Sequence, residues 1–310
     1  MKLVFFGSPV EAVVSLELLL QRGHDIVAVY SQPDKPAGRA ASPVPTPVKA
    51  AATTRGIDVR TPLSLRDATT QAALKALGAD AFVVVAYGKL LPAAVLTMPR
   101  LGVLNVHPSL LPKHRGPSPV QQAILDGASH TGVTVMLLDE GMDTGPVLAQ
   151  SEPIEIGEDE TCPELMVRLF ARGAVLLADT LEQLGRGAVA PIPQDPSKAT
   201  LTKLLSRENG EIDWSLPAVR TARMVRAYDP WPGTQTRWRG KALKVLEARV
   251  ASARSTGAPG TVTVSEGRLL VATGEGALEV ARLQLEGKRA VTAADFLRGH
   301  PDIAGRILGV

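Results

Sequence analysis

An amide, an imidazole and a carboxylate stand in this chain in a pattern that suits acyl-level chemistry. Asn105 and His107 lie two residues apart in Leu101-Gly-Val-Leu-Asn-Val-His-Pro-Ser-Leu-Leu-Pro-Lys-His-Arg-Gly116. Val103, Leu104 and Val106 give the start of this run the character of a strand. A spacing of two puts Asn105 and His107 on the same side of it. Pro108 and Pro112 then prevent regular continuation, because each lacks an N–H and fixes its backbone. A second polar stretch, Asp139-Glu-Gly-Met-Asp-Thr-Gly145, has glycines that permit a tight loop aiming Asp143 at the pair. The amide and an imidazolium suit the oxyanion of a tetrahedral intermediate. The carboxylate suits orienting and charging the imidazole, or moving a proton through water. No Gly-x-Ser-x-Gly elbow surrounds Ser109, so direct attack by a substrate amine is the simpler route. From residue types alone, a buried polar cluster that merely satisfies itself stays open beside this reading.

Asn105-Val-His107-Pro-Ser109-Leu-Leu-Pro112 with Arg115-Gly116, followed by Asp143-Thr-Gly145, closely resembles the folate-dependent formyltransferases. Gln32-Pro-Asp-Lys-Pro-Ala-Gly-Arg39, Ala86-Tyr87-Gly88 and Asp229-Pro-Trp231-Pro-Gly233 resemble the methionyl-tRNA branch of that family. The resemblance runs over nearly the whole chain. It implies transfer of formyl from 10-formyltetrahydrofolate, a cosubstrate, to the amino group of methionine on initiator tRNA, without a metal. It implies Asn105, His107 and Asp143 as the catalytic three. Ser109, Leu110, Leu111 and Pro112 are implied as part of the folate site, with Leu90 and Leu91 beside the pterin. Arg39 is carried over as a tRNA contact near the end of the acceptor stem. Relatives can have lysines next, whereas Ala40-Ala41-Ser42-Pro43 follow here, leaving less charge for tRNA.

These residues need elements to position them. Lys2–Phe6, an amphipathic helix from Val10, and Ile26–Tyr30 read as a right-handed βαβ unit of a parallel sheet. Gly-x-Gly-x-x-Gly is absent from the first turn, so no NAD or FAD is expected. Residues 32–47, with five prolines, read as a loop. Ala81-Phe-Val-Val-Val-Ala86 is a continuous apolar run, as in a central strand buried on both faces. Tyr87-Gly88-Lys89-Leu90-Leu91 leaves its carboxyl end, where open α/β sheets bind ligands. Helices are expected near 48–55, 64–77, 120–125 and 162–184, and strands at 132–137 and 147–156. Residues 188–202, rich in proline, read as an interdomain linker. Beyond it come a helix at 216–227, with Arg220, Arg223 and Arg226 on one face, and five short strands. That pattern fits a small all-β, OB-like barrel. The expected fold is therefore α/β: a Rossmann-like formyltransferase domain with a mostly parallel sheet over 1–187, then the barrel over 203–310. Arg237, Arg239 and Lys241 alternate and are expected to share one face as a phosphate track for tRNA. Trp231 and Trp238 suit nucleotide stacking or core packing, the latter being the commoner use.

Net charge is only +3 over 310 residues, but it is unevenly placed. Residues 1–202 hold 17 Lys+Arg against 20 Asp+Glu, whereas 203–310 hold 17 against 11. A basic second half suits a polyanionic partner. The single cysteine, Cys162, excludes an internal disulfide and a cysteine metal cluster, and suits a buried apolar position. No signal peptide or membrane-spanning run is read, so a cytoplasmic monomer is expected. Rival readings are a formyltransferase acting on a small amine (a purine precursor or an amino-sugar nucleotide), a formyltetrahydrofolate hydrolase, and a noncatalytic RNA-binding module. The basic second half and the 32–39 loop favour tRNA over a small amine. The hydrolases carry an additional N-terminal domain, and the intact Asn105, His107 and Asp143 speak against a noncatalytic module.

Overall fold

Ala81–Val85 is buried along its whole length, because it lies in the interior of a seven-stranded sheet. The computed structural model describes residues 1–36, 42–252 and 257–309. Its first sheet contains β1 (Lys2–Gly7), β2 (Asp25–Tyr30), β3 (Val59–Arg60), β4 (Ala81–Val85), β5 (Val103–His107), β6 (Thr134–Leu137) and β7 (Val147–Gln150). Their order is β7-β6-β5-β4-β1-β2-β3. The five strands from β5 to β3 pair in parallel, and β6 and β7 add an antiparallel edge. Strand order reverses between β1 and β4, the place where an α/β sheet opens a ligand crevice at its carboxyl edge. Phe6 stacks on Tyr30 with centroids 4.9 Å apart and meets Tyr87 edge-on at 5.4 Å, filling one side of the sheet.

The chain divides into two compact units. The first comprises Met1–Pro119, His130–Glu155 and Met166–Thr202; the second comprises Val120–Ser129, Ile156–Leu165 and Lys203–Val310. Residues 188–202, expected as a linker, thus lie within the first unit. Ile192 exchanges both backbone hydrogen bonds with Val147, each 2.8 Å, and so extends the sheet's β7 edge.

The second unit carries an antiparallel sheet of β8 (Thr234–Trp238), β9 (Lys241–Val250), β10 (Val262–Ser265), β11 (Arg268–Ala272), β12 (Ala277–Leu285) and β13 (Val291–Thr292). Pairing runs β8-β9-β12-β11-β10, with β13 against β12. The helix Ala218–Ala227 contacts β9 and β12. Its three arginines share a task within the chain. Arg220 donates to the Leu125 carbonyl at 3.1 Å, and Arg226 to the Glu160 carbonyl at 2.8 Å. The Arg223 guanidinium lies where a side chain on Gly127 would otherwise project. These contacts tie residues 120–129 and 156–165 into the second unit. Trp238 is 4 % exposed and belongs to the core with Trp214 and Phe296. Trp231 is 50 % exposed, with Arg207 over its ring at 5.9 Å.

Candidate active site

Strand β5 lies between parallel β4 and antiparallel β6, so its side chains stand on a surface fixed from both sides. Asn105 pairs with Val84 on one side and Met136 on the other, and His107 pairs with Thr134. Alternation along the strand then aims both side chains the same way. The Asn105 side chain makes no hydrogen bond to another described residue, although the residue is only half-exposed. A self-satisfied polar cluster would have used that amide.

His107 is 4 % exposed. Its Nε2 lies 3.0 Å from the His114 carbonyl oxygen. A carbonyl only accepts, so Nε2 carries the hydrogen. In the neutral ring Nδ1 is therefore bare, and it faces Asp143 Oδ2 at 3.7 Å. Burial pushes the imidazole below its ordinary value of 6.5; Asp143 and the His114 carbonyl pull it back up, and the His114 side chain pushes it down. At an effective dielectric near 20, unit charges at this separation attract by roughly 4 kcal/mol. A proton arriving at Nδ1 is thus stabilised as long as the carboxylate keeps its place. An NMR titration of the His107 ring is expected to give a value below 6.5, and a lower one still in Asp143→Asn, where the pull toward the cation is lost. A value at or above 6.5, or no change in the variant, would contradict this picture of the pair.

Asp143 is held in turn. Its Oδ2 accepts the Gly116 N–H at 2.7 Å, and its backbone lies in the left-handed region at φ 52°. Gly145 closes this loop where a Cβ would run into the Leu137 carbonyl oxygen. Gly116 has φ 109°, and a Cβ there would stand 2.8 Å from Thr202 Oγ1. Both glycines are required by close backbone approach. Asp139 anchors the loop's base, accepting from the Gly141 N–H at 3.0 Å and from the Thr144 hydroxyl at 2.7 Å.

The 109–112 segment is built inward. The buried Ser109 hydroxyl donates to the Lys113 carbonyl at 2.6 Å, and Thr134 Oγ1 donates to the Ser109 carbonyl at 2.7 Å. Leu111 donates its N–H to Thr134 Oγ1 at 3.1 Å, while its carbonyl accepts from Gln150 at 2.7 Å. Pro112 offers its carbonyl to the Thr200 N–H at 3.2 Å. Ser109 thus fixes the loop, and Leu110 is the half-buried residue beside it. At the end of β4, Ala86 and Gly88 both have positive φ and turn the chain out of the sheet. Ser8 and Gln32 hold that turn by donating to the Tyr87 carbonyl at 3.2 and 3.1 Å. Leu90 is 83 % exposed and Leu91 packs partly on the core. The N–H groups of Gly88 and Leu90 donate to no described residue.

Arg39 lies outside the described residues. The track of Arg237, Arg239 and Lys241 does not share one face, because a two-residue turn intervenes. Arg237 pairs with Ala242, and Trp238 with Lys241. Residues directly opposite in a ladder point to the same side. Lys241 therefore joins Trp238, and Arg237 points to the other side with Lys244, the partner of Gln235. Arg239 sits in the turn at φ 52°, lies over the Trp238 ring at 4.8 Å and pairs with Asp302. The residues that brace the site, Gln194, Thr200 and Thr202, are missed by sequence reading, since polar residues among prolines carry no periodic signal.

A buried imidazole, a braced carboxylate and an amide with no partner among the described residues thus meet at the carboxyl edge of a Rossmann-like sheet, an arrangement that suits a group-transfer enzyme. Residues 1–181 match the formyl transferase family model, and residues 204–301 match that for the formyl transferase C-terminal domain. The chain belongs to the formyl transferase family. It is 50 % identical over its whole length to a methionyl-tRNA formyltransferase of Roseiflexus castenholzii, covering 99 % of that protein. A methionyl-tRNA formyltransferase of Solibacter usitatus is 44 % identical over 97 % of this chain and 96 % of its own. In fold it is similar to HypX from Aquifex aeolicus in complex with tetrahydrofolic acid, with TM-score 0.67 and 19 % identity over 96 % of this chain and 47 % of HypX. It is also similar to an N-formyltransferase from Helicobacter canadensis, with TM-score 0.66 and 17 % identity over 90 % of this chain and 98 % of that one. Among the described residues no helix is long and apolar enough to cross a membrane.

Proposed function

We propose that the chain transfers the formyl group of 10-formyltetrahydrofolate to the free amino group of methionine on initiator methionyl-tRNA. One observation carries the choice of acceptor: a relative named methionyl-tRNA formyltransferase matches the entire chain at 50 % identity. The donor fits the edge beyond β4, where the N–H groups of Gly88 and Leu90, without a partner among the described residues, suit the hydrogen-bonding rim of a pterin. Within the 109–112 segment, half-buried Leu110 and Pro112 are left to wall it, while Ser109 and Leu111 hold the loop from inside.

The amine nitrogen attacks the formyl carbon, and a carbon–nitrogen bond forms. The Asn105 amide donates to the oxygen as it gains charge. Neutral His107, bare at Nδ1, accepts a proton as the amine becomes bonded to carbon. The resulting cation faces Asp143 and adds to oxyanion stabilisation. Collapse breaks the bond to the folate nitrogen, and that nitrogen receives one proton by way of His107 and Asp143. The enzyme ends with its own groups in their starting states. Assays with formylfolate and either methionyl-tRNA, a purine precursor or an amino-sugar nucleotide separate the readings. Formylation of methionyl-tRNA is expected; turnover of only a small amine overturns the assignment.

Residues 203–310 hold the tRNA through phosphates, and the remainder supplies the chemistry. A single copy acting in the cytoplasm completes this reading. Arg237, Lys241 and Lys244 make no ion pair with another described residue. They are free for phosphate, whereas Arg239 is engaged by Asp302. Replacing Arg237 and Lys244 together by alanine is expected to weaken tRNA binding and to flatten its dependence on log salt by roughly 1 to 2. Arg239→Ala is expected to change the slope less, and Lys241→Ala reports on the opposite face. Titration of tRNA at several salt concentrations measures this. An unchanged affinity and slope in the double variant would discard the Arg237 face as a phosphate track.

A further inference from the structure

We infer that Gln194 is the positioning residue of this site, the side chain that fastens the Asp143 loop to the Arg115–Gly116 loop. The inference rests on the proposed role of Asp143 in proton movement. Gln194 Nε2 donates to the Asp143 carbonyl at 2.8 Å and to the Gly145 carbonyl at 2.7 Å. Its Oε1 accepts from Arg115 Nε at 3.0 Å and Nη2 at 2.8 Å. All hydrogen-bonding capacity of one amide is thus spent across two loops. Arg115 is buried, and its N–H donates to the Thr200 carbonyl at 2.9 Å. Next to it stands Gly116, whose N–H holds the Asp143 carboxylate. Gln194 therefore fixes the carboxylate twice, through the backbone of Asp143 and through the donor that Asp143 binds. Neither the Asp143 backbone nor that of His114 is in a relaxed conformation, with φ 52° and 58°. Such backbone persists only where its surroundings hold it. Gln194 touches no reacting atom, so it acts through Asp143 and His107.

Two variants test this. Gln194→Ala removes all four bonds. Gln194→Glu keeps the shape and the acceptor for Arg115 but has no N–H for the two carbonyls. Both are expected to lower single-turnover formylation by about 10- to 100-fold, the scale of a small misplacement at a reacting centre. KM for methionyl-tRNA and for formylfolate should move less than about twofold on the same ground, since a group acting only on the transition state leaves binding alone. His107 should titrate lower than in the wild type, because Asp143 no longer stands beside its cation. In an Asp143→Asn background, Gln194→Ala should add little, since the residue it positions is already disabled. A wild-type rate and a wild-type His107 titration in both variants overturn the inference while leaving Asp143 in its role. An equal loss in both backgrounds also overturns it, by showing that Gln194 acts elsewhere. If Asp143→Asn alone keeps the full rate, the reading of Asp143 fails, and this inference fails with it. Circular dichroism checks the fold of each variant. Should the alanine variant not fold, the glutamate variant carries the test; if neither folds, Gln194 is purely structural and the inference is wrong.

Discussion

Asn105→Ala is expected to fold, to bind formylfolate, and to lose about 100- to 1,000-fold in single-turnover formylation, the scale for one preorganised oxyanion donor. The expectation follows from three features. Asn105 lies in an interior strand paired on both sides, so its backbone does not depend on its side chain. Its amide has no partner among the described residues, so removing it strands no other polar group. His107, two residues on, is buried and fixed by the His114 carbonyl. The loss should appear in kcat, because the interaction forms only as charge develops on the formyl oxygen. A single-turnover rate within a few fold of wild type would remove Asn105 from the mechanism. Unfolding of the variant would show that the amide is structural.

Asp143→Asn should be comparably severe for a different reason. The asparagine keeps an oxygen for the Gly116 N–H but loses the charge opposite His107 Nδ1. Without it, a proton on the imidazole is unsupported in a buried site. Loss of such proton handling costs about 100- to 10,000-fold. The Michaelis constants for folate and tRNA should stay close to wild type, since neither substrate is held by the charge. A defect lying wholly in weaker substrate binding would contradict the role given to Asp143. Restoring the charge at greater length, in Asp143→Glu, should not restore the rate, because the loop backbone and the Gly116 donor set the carboxylate's position to within a hydrogen bond.

Strands and loops differ in what can be read along a chain. Strand β4 was legible because burial on both faces leaves an unbroken apolar run at 81–85. Asn105 and His107 were legible as a pair because the period of a strand is local: two residues apart means the same side, whatever packs there. The approach of Asp143 was legible only as a loop with glycines. What aims it is Gln194, 51 residues later, and Thr202, 86 residues after Gly116, in a segment that read as a linker. Proline-rich polar sequence has no period, and its backbone hydrogen bonds go to whatever surface it meets, so its place is a tertiary fact.

The same division explains the basic surface of the second unit. Alternation placed Arg237, Arg239 and Lys241 together, but the Arg239–Gly240 turn reverses the chain, and reversal changes which parity faces outward. The arginines at 220, 223 and 226 were correctly placed on one helix face, yet their partners are backbone carbonyls at Leu125 and Glu160 and the space above Gly127. Sequence by itself determined the parallel strands and most of the helices and singled out the three candidate groups, because these depend on residue type and near spacing; the helix Ala293–Gly299 and the short sixth strand of the second sheet were not read. The tertiary structure alone decided which charges are spent on the chain itself, which remain free for a partner, and which glutamine holds the backbone of the Asp143 loop, because each depends on contacts between residues far apart in sequence.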